Sequence, residues 1–269
     1  LPDEYTAGRD RGRLRDRGGP IRAYGVDIVA IERIQFLKVP LDIVQPEELE
    51  SVILELLARE GPRQIMLVSL WDVLRARRRG EFRSMVLDAA LVLPTSKSLI
   101  RGARFLKKKA PVRVNPFPFV IETLGVLEKY CKSVYLLGAH NRSLIQAERN
   151  VRSTFPRLSV VGRFHGYYHR GIEKNIITAI VKSNPALVLV GDGMPGKQRW
   201  IYRNRSRLHS GLFLWNAEMI DIFSERKRRI PESDYERGLE FFPLVARNPL
   251  RVFRLFQYFW YNVLLLTYR

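Results

Sequence analysis

Six short apolar runs punctuate the chain: 64–70 (QIMLVSL), 90–93 (ALVL), 133–137 (SVYLL), 158–161 (LSVV), 186–190 (ALVLV) and 211–214 (GLFL). Each is continuous and leucine-rich or β-branched, the pattern of a strand covered on both faces. Between them the apolar residues follow a helical period. Segment 46–59 (PEELESVILELLAR) opens with proline and acids and sets Leu49, Val52, Ile53 and Leu56 on one side, a good helix start with an amphipathic body. Segments 143–155 and 172–183 repeat the spacing, with Ile176, Ile177 and Ile180 as the stripe of the second. Strands alternating with helices predict an α/β fold, a parallel sheet with helices on both faces.

Both ends depart from this pattern. Residues 1–22 are rich in Arg, Asp and Gly and poor in large apolar side chains, which predicts a basic flexible arm. A folded domain is expected over 23–229 and an appendage over 230–269. Within the appendage, 255–268 (LFQYFWYNVLLLTY) carries no charge, and Arg251 and Arg254 stand just before it. The run is too short for an ordinary transmembrane helix and has the aromatic content of a segment lying in a membrane interface. A membrane-associating helix is therefore expected; docking on the chain's own core or on a sister subunit is the alternative.

Charge narrows the partners. Forty-six Lys and Arg against 27 Asp and Glu give a formal net charge of +19 in 269 residues, which suits nucleic acid, anionic lipid or phosphorylated substrates. No RNP signature or interleaving of aromatic and basic strand residues is present, so nucleic acid is not expected as a partner. Cys131 is the only cysteine; this excludes an intramolecular disulfide and a cysteine-based zinc site and fits a reducing, cytoplasmic setting. His165 and His169 have an H-x-x-x-H spacing, but Gly166 intervenes and no third ligand is near in sequence, so no metal site is expected.

Candidate chemistry gathers where the strands end, since ligands of open α/β sheets bind beyond the carboxyl edge. After ALVL comes PTSKS, with Thr95, Ser96 and Lys97 opening a basic helical segment. After ALVLV comes GDGMPGKQRWI, whose glycines permit close backbone approach and whose Lys197, Gln198 and Arg199 supply donors for a diphosphate. Gly138 to Asn141 follows SVYLL, and His165 to Tyr168 (HGYY) follows LSVVG, with Tyr167 suited to stacking on a base or sugar.

In this order the segments resemble the WecG/TagA/CpsF glycosyltransferase family over about residues 36–256. FLKVPLDIVQPEELESVI is similar to the family's opening "G-v-p-i-d" strand and helix, and DAALVLPTSKSLIRGARFL to its "ADlVlPDGiGvvwaarll". VYLLGAHNRSLIQAERNVRSTFPRLSVVGRFHGYY follows its "LLGg…a…P…ivG…hGYf" block. ALVLVGDGMPGKQRWI looks like "lvglGsPkQEkWi", and GLEFFPLVARNPLRVFRLF like the "GLEWlyRLlqePrRlwRRyl" tail. The resemblance implies a Rossmann-like fold and an inverting transferase without cofactor or metal. Such an enzyme moves a hexose or N-acetylhexosamine from a UDP-sugar to a polyprenyl-diphosphate-linked sugar at the inner face of the cell membrane. It further implies that Arg251 and Arg254 hold the acceptor diphosphate, and that Arg113 matches the arginine of "RvtGsDl".

The departures fall on polar positions. Thr95 and Ser96 stand where the family has Asp-Gly, its general base, and a threonine hydroxyl is no base near neutral pH. Pro118 replaces the aspartate of "RvtGsDl", Lys197 the glutamine of "PkQE" with Gln198 one place later, and Ser69 and Asp72 the Asn and Thr of "NahT". Either a carboxylate from another strand-end loop acts, Asp72 or Asp192, or the chain is a catalytically silent relative that binds nucleotide-sugar or lipid diphosphate as a partner subunit. An anionic membrane surface and a homo-oligomer complete the expected partners.

Overall fold

A computed structural model describes residues 31–237 and 254–268, with two further backbone pairs, β1 (Arg22–Ala23) and β2 (Val26–Asp27). The rest of the expected N-terminal arm and Arg251 lie outside the described residues. A hairpin, β3 (Glu32–Phe36) and β4 (Val39–Ile43), precedes six strands: β5 (Arg63–Val68), β6 (Leu91–Pro94), β7 (Ser133–Leu137), β8 (Ser159–Phe164), β9 (Leu187–Val190) and β10 (Leu212–Trp215). These form one sheet in the order β6-β5-β10-β9-β7-β8, with every pairing parallel. The expected Rossmann-like α/β architecture is present.

Side chains alternate between the faces of a strand, and here both faces are covered, which is why the runs read as continuously apolar. Ile65, Leu91, Val134, Leu136, Leu187 and Leu214 point to the side packed by α1 (Leu49–Ala58), α5 (Pro116–Lys129) and α6 (Asn141–Thr154). Met66, Val68 and Val92 point to the other side, under α2 (Leu70–Ala76), α3 (Glu81–Leu87) and α4 (Lys97–Phe105). On that same side Tyr135, Leu137, Val188, Val190 and Phe213 pack beneath α7 (Glu173–Ser183) and α8 (Arg199–Asn204).

Two boundaries shift for local reasons. The run at 64–70 stops as a strand at Val68, because Ser69 caps α2 and the Asp72 carboxylate accepts from the Ser69 amide (2.9 Å), a capping box. The run at 158–161 extends to Phe164 as β8, the edge strand: Val160 packs into the core on one face and Phe164 against the α7 and α8 side on the other, while Ser159, Val161 and Arg163 stay exposed.

The β3–β4 hairpin closes the opposite edge. Asp42, fully buried, accepts bonds from Arg33 Nε (2.6 Å) and Nη2 (2.9 Å) and from the Val92 amide of β6 (2.7 Å). The sheet edge therefore ends on a carboxylate.

Near the chain end, α9 (Met219–Phe223) and α10 (Glu232–Arg237) precede α11 (Arg254–Thr267). No helix among the described residues is long and apolar enough to cross a membrane. One side of α11 docks on the domain: Tyr261 is 2% exposed, packs against Phe36 and donates to Ser98 O (2.7 Å), with Leu264 and Leu265 also buried. Gly102 of α4 makes the seat, since a Cβ there would collide with Tyr261 Oη and Phe36. The other side leaves Phe256, Phe259, Trp260 and Leu266 exposed, an unbroken apolar stripe at helical spacing.

Candidate functional site

Chain order makes the sheet divide twice. From β5 the chain moves outward to β6, from β7 outward to β8, and β9 and β10 then fill the space between. Crevices beyond the carboxyl edge are expected at such reversals, and a cavity of about 760 Å³ lies at the β5/β10 reversal. Ser69 after β5, Thr95 and Ser96 after β6, and Asn216 after β10 line it. Trp71, Phe117, Trp215 and Tyr258 give it aromatic walls, and Lys97, Arg101, Arg229 and Arg237 give it a basic rim. A smaller cavity of about 410 Å³ shares Lys97 and Arg101 and adds Arg104 and Arg113, with Glu232 and Glu236 at its border.

Several polar groups in these walls are committed to the fold. Thr95 sends both its amide (2.9 Å) and its hydroxyl (3.2 Å) to Val68 O. Ser96 Oγ accepts from the Leu70 amide (3.1 Å) and so helps start α2. Arg113 donates to Thr95 O (2.8 Å) and Tyr235 O (2.5 Å) and stacks over the Tyr235 ring (3.7 Å). Tyr235 in turn approaches Thr95 O (2.7 Å) and Val114 O (2.6 Å), pinning α10 to the cavity wall. Lys97 Nζ reaches Glu236 O (3.1 Å). Trp215 Nε1 is different: on a residue of the cavity wall, it is buried with no partner among the described residues, an exception to the pairing of buried polar groups.

A second group of strand-end residues gathers beyond β7, β8 and β9. Tyr167, half exposed, stacks on His140 (centroids 4.1 Å apart, planes 13° apart) and faces Asp192 Oδ2 at 3.4 Å. Desolvation, then the Asp192 and Asp221 carboxylates, hold the Tyr167 phenol above its ordinary pKa, with Arg226 pulling the other way. Asp221 Oδ1 is buried without a partner among the described residues. The glycines here serve backbone packing. Gly138 approaches the Gly191 backbone at φ +117°, and a Cβ on Gly193 (φ +84°) would enter the Tyr167 ring.

The expected site residues thus fall into separate groups. Ser69, Thr95, Ser96 and Lys97 meet in the larger cavity, Lys97 and Arg113 in the smaller, and Gly138, Tyr167 and Asp192 at the ends of β7, β8 and β9. His165 stacks on Phe164 (4.9 Å). Asp72 faces back on Ser69 through its capping box rather than into the cavity. Lys197, Gln198 and Arg199 lie where α8 begins, outside the cavity, and Arg199 faces Glu81 (3.5 Å) beside the bidentate Arg203–Glu81 pair. Arg254 opens α11. Among the described residues no group of three or more His, Cys, Asp or Glu is placed to hold a metal ion.

Sequence reasoning missed Asn216, Glu218 and Asp221, the polar residues that follow β10. Their signal was available: GLFLW is followed at once by N-A-E-M-I-D, a strand end with two carboxylates.

The sequence profile of the glycosyl transferase WecG/TagA/CpsF family matches residues 34–269. Over 172 residues the chain is 22% identical to the N-acetylglucosaminyldiphosphoundecaprenol N-acetyl-beta-D-mannosaminyltransferase of Bacillus subtilis (strain 168), covering 64% of this chain and 66% of that protein. Over 150 residues it is 21% identical to the protein of the same name from Staphylococcus aureus (strain NCTC 8325 / PS 47), covering 56% and 58%. The matched region thus falls just short of two thirds of the Bacillus protein and well short of it in the Staphylococcus protein. With its profile match running through nearly the whole chain, the protein belongs to the WecG/TagA/CpsF family of glycosyl transferases.

Proposed function

We propose that the protein transfers a hexose or N-acetylhexosamine from a UDP-sugar to a sugar carried on a polyprenyl diphosphate, with inversion and without a metal, at the inner face of the cell membrane. The observation that carries this reading is the form of the larger cavity. It combines aromatic walls, a basic rim at Lys97 and Arg101, and a wall residue, Tyr258, on the same helix that exposes Phe259 and Trp260. A ligand with a sugar, a diphosphate and a long apolar tail matches those three features in turn. The strand-end surface around Tyr167 suits the donor, its half-exposed ring placed to stack on the uracil.

Transfer of radiolabel from a panel of UDP-hexoses and UDP-N-acetylhexosamines onto polyprenyl-diphosphate-GlcNAc tests the reaction, with UDP binding measured by calorimetry on the same preparation. Product formation is expected. UDP binding without product for any donor would favour the silent relative instead, the reading supported by Thr95, whose hydroxyl at the family's base position is bonded into the fold. Tyr167→Ala is expected to weaken UDP binding about 10-fold, the loss of one base–aromatic stack; an unchanged affinity would move the nucleotide elsewhere.

The exposed stripe of α11 is proposed to rest in the membrane interface. Phe259→Ser with Trp260→Ser should reduce cosedimentation with anionic liposomes several-fold while leaving binding to UDP intact. The residual attraction, carried by the +19 net charge, should fall as salt rises. Equal cosedimentation of the double variant would leave charge as the whole of the attraction.

A further inference from the structure

Transfer to a sugar hydroxyl requires a group that takes the hydroxyl proton, and the family's aspartate position holds Thr95. Resting on the transferase reading above, we propose that Glu218 is the general base of this chain. Among the described residues lining the larger cavity, Glu218 is the only carboxylate. The other polar lining groups at the strand ends are neutral: Ser69, Thr95, Ser96 and Asn216. Neither of the two aspartates that directly follow buried strands offers its carboxylate to this cavity. Asp72 is engaged with Ser69 at the start of α2 (2.6 and 2.9 Å), and Asp192, outside the cavity lining, faces Tyr167 (3.4 Å).

Local structure holds Glu218 in place. It follows β10 by three residues, its amide donates to Asn216 Oδ1 (3.0 Å), and its backbone forms the N-cap of α9. Its carboxylate pairs with Lys227, whose own amide is tied to Asp221 O (3.0 Å), so the loop after α9 folds back and orients the acid. The Glu218 side chain is 42% exposed, open enough to return a proton to water. Because β10 lies between β5 and β9, Glu218 comes from the centre of the sheet, with β5 between its strand and the β6 strand that leads to Thr95 and Ser96.

The step balances as follows. The acceptor hydroxyl gives its proton to a Glu218 oxygen while its own oxygen bonds to the anomeric carbon of the donor. The bond from that carbon to the β-phosphate oxygen breaks, its electron pair leaves with UDP, and the configuration inverts. The proton then passes from Glu218 to solvent.

The test uses the full chain with the UDP-sugar and polyprenyl-diphosphate-GlcNAc pair that gives transfer, comparing Glu218→Gln and Glu218→Ala with the wild type. Glu218→Gln is expected to lower kcat by about 10²–10⁴-fold, the usual worth of a positioned base, with UDP affinity within twofold of wild type by calorimetry. The acid limb of the pH–rate profile should disappear with it. Formate should restore part of the rate of Glu218→Ala, a recovery that a merely structural role would not give. A wild-type kcat in Glu218→Gln, or a loss in Glu218→Ala that formate leaves untouched while UDP still binds, overturns the assignment and leaves the transferase reading standing. Absence of transfer by the wild type with every donor overturns both.

Discussion

Tyr261→Ala is expected to cost about 4 kcal/mol, the usual price of removing a fully buried aromatic side chain, and to lower the thermal midpoint by roughly 10 °C. The ring is 2% exposed, lies beside Phe36 and fits over Gly102, and its hydroxyl satisfies Ser98 O at 2.7 Å. Because α11 docks chiefly through Tyr261, Leu264 and Leu265, the loss should appear first as faster proteolysis within that helix. Two milder variants separate the causes. Tyr261→Phe removes only the hydrogen bond, about 1 kcal/mol, whereas Gly102→Ala places a methyl where the hydroxyl sits and should cost about 1–3 kcal/mol by overpacking. Combined, they should be less damaging than their sum, since the phenylalanine no longer carries the clashing oxygen. Strict additivity would show that the contact at Gly102 does not seat the helix. Tyr258 lines the larger cavity from the same helix, so undocking also removes part of a wall from the site.

Asp42→Ala is expected to destabilise the protein by about 3 kcal/mol, at the low end for a broken buried ion pair because the Arg33 side chain is 35% exposed. The substitution leaves the Val92 amide without its acceptor and Arg33 without its charge partner, at the edge where the hairpin closes the sheet. Asp42→Asn keeps an oxygen for Val92 and should lose less. A shift in the urea midpoint at unchanged slope measures both; equal midpoints for Asp42→Ala and wild type would mean that the edge is held by the hairpin ladder alone.

The contrast between these regions explains what was readable in the chain. Five of the six parallel strands stand out because helices cover both faces, and an apolar run in which no position is exposed is hard to mistake; the edge strand β8, with Ser159, Val161 and Arg163 exposed, is legible only in part. The β3–β4 hairpin carries no turn signal, because its turn residues, Leu37 and Lys38, take positive φ (48° and 66°) without glycine or asparagine. The favoured hairpin signal is therefore missing, and burial of Leu37, 1% exposed, offsets the strain. The polar and glycine-rich loops do follow the strands, but which of them meet depends on strand order. Asp72 follows its strand as directly as Glu218 does, yet the Ser69-x-x-Asp72 spacing is a capping signature. Glu218 becomes a cavity residue only once β10 is inserted beside β5, a pairing no local pattern encodes.

The loops beyond β7, β8 and β9 are joined backbone to backbone: Gly138 N to Phe164 O (2.8 Å), Ala139 N to Asp192 O (2.7 Å), Gly166 N to Ala139 O (2.9 Å) and Gly191 N to Leu137 O (2.7 Å). Their ordering entropy is spent when the protein folds, so a molecule arriving at Tyr167 meets a surface already preorganised to receive it. Association there should consequently be limited by diffusion and desolvation, with little rearrangement of the loops between the free and occupied protein.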